Sequence, residues 1–143
     1  MNELKKQFDK YPNKKPSQLI KLMFHGSARG DPKVIYESED GLDIRFARQG
    51  MYGVGIYFAD NSQYSHSYAY RNSDGTFSMF LCFVLPGLSA YDPPERTGLR
   101  IPPLVKAGSS DRFDTVTNYD RTHVITYANS KSYPVYLINY SLD

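Results

Sequence analysis

The chain has 143 residues, 41% of them apolar and 22% charged, with a formal charge of +2. That length suits one domain with a sizeable core, and the mixed charge leaves no basic footprint for nucleic acid. Cys82 is the only cysteine, which excludes an internal disulfide and a cysteine-rich metal site.

Residues 1–21 form a basic lead-in broken by Pro12 and Pro16, with room for a short first helix. No apolar run reaches the ~18 residues of a membrane span and no signal-peptide pattern is present. The expectation is an intracellular protein, cytoplasmic or nuclear, with no membrane partner. Thirteen tyrosines without a tryptophan suggest grooves and half-buried faces, because a phenol pairs an apolar ring with a polar tip.

In "LMFHGSARG" (22–30) an apolar strand candidate ends in His25, Gly26 and Ser27. Alone, this tripeptide favours a satisfied structural histidine over a ring, backbone amide and hydroxyl offered to a ligand. "DPKVIYESEDGL" (31–42) suits a short helix, with Asp31 as cap, Pro32 in the first turn and Gly41 as stop. "GVGIYFAD" (53–60) reads as a glycine-led strand. Gly53 and Gly55 leave space on the Tyr57 side for a backbone or a ligand. Its G-x-G precedes a strand rather than opening a helix, so it is not a dinucleotide fingerprint.

"NSQYSHSYAYR" (61–71) reads as a helix capped by Asn61 or Ser62, with Tyr64, Ser65 and Tyr68 on one face. Aromatic rings at that spacing are usually core, whereas a serine between them needs a partner for its hydroxyl. His66, on the other side, reads as solvated. "FSMFLCFVLPG" (77–87) is the best buried strand and carries Cys82, an inert core thiol on this reading. A long loop from Leu88 to about Asp111 follows, with Pro93, Pro94, Pro102 and Pro103. "HVITYA" and "YPVYLINY" close the chain as strands joined by "NSKS". The class is α+β with mainly antiparallel pairing.

In this order and spacing the segments resemble the poly(ADP-ribose) polymerase catalytic domain family, the diphtheria-toxin-like ADP-ribosyltransferases. "LMFHGS", "GLDIRFARQGMYGVGIYFADNSQYSHSYAY", "MFLCFVLPG", "RIPPL…GSSDRFDTV" and "YPVYLINY" carry the likeness, from about Leu22 to Tyr140. The resemblance implies a single catalytic domain over 1–143, with a split, mainly antiparallel β core and short flanking helices. It implies NAD⁺ as co-substrate, no metal, and release of nicotinamide. Gly26 would grip the nicotinamide carboxamide through its backbone and Ser65 would add a hydroxyl. Tyr68 would stack on the ring, Tyr57 would cover its other side, and His25 would bond the adenosine-side ribose with Ser27 nearby. Arg45 would approach the cleft, and loop 88–110 would lie over the nucleotide.

The implied catalytic set is His25, Tyr57 and a third position that polymer-forming members fill with glutamate, thirteen residues before the first tyrosine of the closing "YL". Counting back from Tyr136 reaches His123. A histidine there implies single transfer to a protein acceptor (the chain itself included) without elongation. The alternatives are an inactive module that binds NAD⁺ or ADP-ribose, and an NAD⁺ glycohydrolase. A nucleic-acid end is a further acceptor that the charge does not indicate, and a monomer is expected.

Overall fold

The computed structural model describes residues 5, 6, 9–28 and 30–142. The expected first helix is helical at 5, 6, 9 and 10, its other residues lying outside the described ones. Three short helices follow: α1 (Pro16–Leu19), α2 (Pro32–Tyr36) and α3 (Ser62–His66). Among the described residues there are nine strands, β1 (Lys21–His25), β2 (Arg48–Gly50), β3 (Gly53–Ala59), β4 (Tyr70–Arg71), β5 (Phe77–Val84), β6 (Ser89–Tyr91), β7 (Thr115–Thr117), β8 (His123–Thr126) and β9 (Ser132–Tyr140), with 3-10 turns at Ile44–Phe46 and Asn129–Lys131.

The strands form one sheet, in the order β9-β5-β1-β3-β8-β7-β6. Strand β2 makes a hairpin with β3, and β4 pairs with β5 beside β1. Only β6 and β7 run parallel, so the α+β, mainly antiparallel class expected from the sequence is the class observed. β8 and β9 are consecutive, yet β1, β3 and β5 lie between them, so the chain crosses the sheet over residues 127–131.

Strand alternation divides the core in two, because successive side chains leave opposite faces. Met23, Leu42, Ile56, Phe58, Phe80, Cys82, Val84 and Val124 pack on one face. Tyr52, Ala90, Val116, Ile125 and Tyr127 pack on the other, with Tyr57, Leu99 and Phe113 against them. The apolar run 77–84 becomes β5, paired along both edges, which buries Phe80, Cys82 and Val84 completely. Burial pushes the Cys82 thiol up to about 12. Pro134 sits on the edge strand β9, next to a register shift opposite Leu81 and Cys82. A residue without an N–H is tolerated at such a place.

Three local expectations contract. Asp31 caps α2 as expected, accepting from Lys33 N–H at 2.9 Å, but the helix ends at Tyr36. Asn61 caps α3, which stops at His66 because residues 70–71 pair with β5 instead of continuing the helix. The loop expected from Leu88 begins at Asp92, since 89–91 form β6. His66 is not a solvated side chain: its Nδ1 lies 2.6 Å from the Tyr140 hydroxyl and its ring packs edge-on to Phe77.

Candidate functional site

The β1–β3 ladder has a single register pair, Phe24 with Ala59. Just beyond it the His25 ring takes over, with Nδ1 2.8 Å from the Tyr57 carbonyl oxygen. A carbonyl only accepts, so Nδ1 donates and Nε2 of the neutral ring keeps a free lone pair. Burial holds the His25 pKa below the usual histidine value, against the opposing pull of the Tyr57 carbonyl. The ring lies 5.4 Å from that of Phe58.

Gly26 follows where the two strands separate. A Cβ there would stand 2.5 Å from the Tyr68 carbonyl carbon and oxygen and 2.6 Å from the Ser65 carbonyl oxygen. Only glycine permits this approach of β1 to the end of α3. Neither the N–H nor the C=O of Gly26 is hydrogen-bonded among the described residues. An unpaired donor and acceptor beside each other present an amide-like ligand with its complement.

The Asn61 cap, accepting from Tyr64 N–H at 2.9 Å, sets the start of α3 and so the placing of Ser65 and Tyr68. Ser65 is 3% exposed, and its hydroxyl has no hydrogen-bond partner among the described residues. The helical winding continues past α3 as i→i+3 turns, with Tyr68 N–H on the Ser65 carbonyl at 3.0 Å. Tyr68 is 51% exposed, and its ring leans on Tyr64 at 5.4 Å between centroids.

Tyr57 lies on the same sheet face as Ile125, its register partner in β8. Its hydroxyl donates to the Gly53 carbonyl at 2.7 Å and accepts from Tyr52 N–H at 3.0 Å. A Cβ on Gly50 would stand 2.5 Å from that hydroxyl, so a bare hairpin turn is what admits it. Burial raises the Tyr57 pKa, partly offset by the Tyr52 N–H and reinforced by Tyr68. The same hairpin anchors the proline-containing loop: Val54 N–H donates to the Leu99 carbonyl at 2.7 Å, and Tyr52 Oη donates to Asp92 at 2.7 Å.

His123 opens β8 opposite Ala59, on the Tyr57 face. Its ring packs on Tyr64 at 4.0 Å between centroids. Asn118 holds it twice, with Oδ1 accepting from His123 N–H at 2.8 Å and Nδ2 lying 2.9 Å from ring Nδ1. Burial lowers the His123 pKa, against the pull of the Asp120 and Asp60 carboxylates.

A continuous path of contacts therefore runs from Tyr57 through His25, Gly26, Tyr68 and Tyr64 to His123. Two of the expected residues stand outside it. Ser27 is in a turn, its hydroxyl 3.4 Å from the Gly30 carbonyl. Arg45 is 72% exposed and pairs with Asp43 and Asp40. Asn118 was not anticipated from the sequence. Its signal was local: Asn118, Asp120 and Thr122 alternate ahead of a strand, a pattern of side chains that turn back on their own backbone. Among the described residues no three His, Cys, Asp or Glu side chains converge as a metal site, and no helix is long and apolar enough to cross a membrane.

The family model of the poly(ADP-ribose) polymerase catalytic domain matches residues 2–93, ending before His123. Over 134 residues the chain is 36% identical to a probable poly [ADP-ribose] polymerase of Dictyostelium discoideum, covering 92% of this chain and 37% of that protein. It is 30% identical to the protein mono-ADP-ribosyltransferase PARP12 of Mus musculus, over 83% of this chain and 16% of that protein. With the protein mono-ADP-ribosyltransferase PARP14 of Homo sapiens the identity is also 30%, over 84% of this chain and 7% of that protein. The chain thus spans little more than a third of the length of one relative and far less of the others. By the extent of the family match, and with the glycine, serine and tyrosine positions gathered at one strand end, the chain belongs to the poly(ADP-ribose) polymerase catalytic domain family of ADP-ribosyltransferases.

Proposed function

We propose that this domain binds NAD⁺ and transfers one ADP-ribose unit to a protein acceptor, releasing nicotinamide. The observation that carries the reading is the Gly26 backbone, unpaired among the described residues, set against the backbone carbonyls of Ser65 and Tyr68, in the same turn as a Ser65 hydroxyl without a partner among those residues and an exposed Tyr68. An N–H, a C=O, a hydroxyl and an aromatic face are what a flat carboxamide-bearing ring needs. On this reading the carboxamide bonds Gly26 and Ser65, and the nicotinamide ring lies between Tyr68 and Tyr57. The lone pair of His25 Nε2 accepts from the hydroxyl of the adenosine-side ribose.

The reaction breaks the bond between ribose C1′ and the pyridinium nitrogen, and the electron pair leaves with neutral nicotinamide. The acceptor nucleophile bonds C1′ and loses any proton it carries to solvent. The barrier lies in the oxocarbenium-like ribose, so the protein's work is to orient the ring and exclude water. No carboxylate stands at position 123 to polarise the hydroxyl of a growing chain, which supports single transfer rather than elongation. Two relatives that are mono-ADP-ribosyltransferases by name support the same reading.

Incubation with adenine-labelled NAD⁺, with and without cell lysate, tests it. Label held on protein as a single unit is the expected result. Free ADP-ribose without protein label would replace transfer by hydrolysis. A second reading, an NAD⁺-binding module without transfer, is favoured by the same missing carboxylate. Bound but unchanged NAD⁺ would establish it.

A further inference from the structure

The state of the His123 ring can be read from its neighbours. Asn118 Nδ2 lies 2.7 Å from Asp120 Oδ1 and 3.0 Å from Thr122 Oγ1, while Oδ1 takes the backbone N–H of His123 at 2.8 Å. A carboxylate oxygen only accepts, and a backbone N–H only donates. Both ends of the amide are therefore fixed, and a flipped amide would face oxygen to carboxylate and nitrogen to N–H. The amide nitrogen thus faces His123 Nδ1 at 2.9 Å, its two hydrogens shared among Asp120 Oδ1, Thr122 Oγ1 and that ring nitrogen. Were Nδ1 protonated, two N–H groups would oppose each other at that distance. The ring proton belongs on Nε2, which has no hydrogen-bond partner among the described residues. Tyr64 packs against the ring at 4.0 Å between centroids, tilted by 41°.

We propose that Asn118 is a positioning residue that locks His123 in its Nε2–H tautomer, so that this position donates a hydrogen bond to a ribose oxygen of bound NAD⁺ where a carboxylate would accept one. The ribose contact rests on the NAD⁺ reading above; the lock does not. The locked ring has a chemical consequence. Its basic nitrogen is already occupied by Asn118, so His123 does not collect the proton of an acceptor. The groups that face it are Asp60 just after β3, Asp120 from its own turn and Tyr64 from α3. Protonation of Nδ1 would keep that donor too, at the expense of the Asn118 contact.

The test uses the whole chain labelled with ¹⁵N-histidine. Long-range ¹H–¹⁵N correlation spectra distinguish protonated from bare ring nitrogens, and only three histidines need assignment, through His123→Gln. The expected wild-type result near neutral pH is a bare Nδ1 and a protonated Nε2 at His123. Asn118→Asp keeps an acceptor for the His123 N–H and offers a carboxylate to Nδ1, so it is expected to reverse the tautomer. Asn118→Ala is expected to give a mixture. A wild-type ring protonated at Nδ1, or a tautomer unmoved by both substitutions, would overturn the lock.

For the ribose contact, NAD⁺ titrations of Asn118→Ala, His123→Ala and the double variant are expected to show losses of about 3- to 10-fold, the scale of one neutral hydrogen bond. The losses should not add, because Asn118→Ala acts only by depleting the donor that His123→Ala removes. Full additivity would overturn the contact. Absence of NAD⁺ binding by the wild type would overturn the NAD⁺ reading and the ribose contact together, while the spectra, which need no ligand, still decide the lock.

Discussion

His25 is tied to Tyr57 by an imidazole-to-backbone bond of 2.8 Å, placed where the β1–β3 ladder gives out. A side chain here takes the acceptor that a third strand residue would otherwise have used. The ring is thereby oriented with its second nitrogen free. His25→Ala leaves the Tyr57 carbonyl half-buried without that partner, so unfolding in urea should show a loss of about 1–3 kcal/mol. NAD⁺ affinity should fall as well, and an unchanged midpoint would mean that the bond contributes nothing.

The same buried ring sets an acid limit on stability. Its folded pKa lies below the ordinary value of 6.5, so the unfolded chain binds a proton that the native chain resists. Stability should therefore fall as pH drops through about 6.5 and level off only below the folded value. That window opens well above Asp43, whose carboxyl Arg45 holds at about 2. Urea midpoints measured against pH should show this limb in the wild type and a weaker one in His25→Ala.

Gly26→Ala places a methyl group 2.5 Å from the Tyr68 carbonyl, which is backbone and cannot rotate away. Strand β1 and the end of α3 must separate, at a cost of about 1–3 kcal/mol by analogy with overpacked cores. Both the urea midpoint and NAD⁺ affinity are expected to drop. Gly75→Ala is a useful contrast, since nothing lies within 4 Å of its added Cβ and only its φ of +87° strains the variant.

Ser65→Ala separates binding from folding. Among the described residues the Ser65 hydroxyl has no partner to lose, so stability should stay within about 0.5 kcal/mol. NAD⁺ affinity should fall about 3- to 10-fold, the range of one hydrogen bond. Tyr68→Ala should behave alike, because a residue 51% exposed contributes little to the core. A large loss of stability in either variant would assign these residues to structure instead.

Cys82 lies wholly buried in β5, with its thiol pushed to about 12. Thiolate is the reactive form, so native protein should resist iodoacetamide near neutral pH and react once unfolded. Rapid labelling without denaturant would contradict the packing described for β5.

Much of this molecule was legible residue by residue. Asp31 and Asn61 announce their helices because a short acceptor side chain just before a helix satisfies its first N–H groups. The run 77–84 announces a buried strand because no exposed edge would carry so many apolar side chains. Less legible was the end of α3, where strand pairing at Tyr70 and Arg71 competes with helical winding. His66 misled for the same reason: its partners Phe77 and Tyr140 are distant in sequence.

The sequence by itself determined the kind of domain, through the order and spacing of His25-Gly26-Ser27, Gly-Ile-Tyr57 and Ser65-x-x-Tyr68. It also determined that position 123 carries an imidazole rather than a carboxylate. Only the tertiary structure decided which atoms of these residues are free. His25 gives up Nδ1 to Tyr57, Tyr57 gives up its hydroxyl to Gly53, and His123 has Nδ1 taken by Asn118. The Ser65 hydroxyl and the Gly26 backbone give up nothing among the described residues. The reason is physical: a residue type sets how many hydrogen bonds a group can make, whereas the neighbours that β1, β3, α3 and β8 bring together settle which are already made.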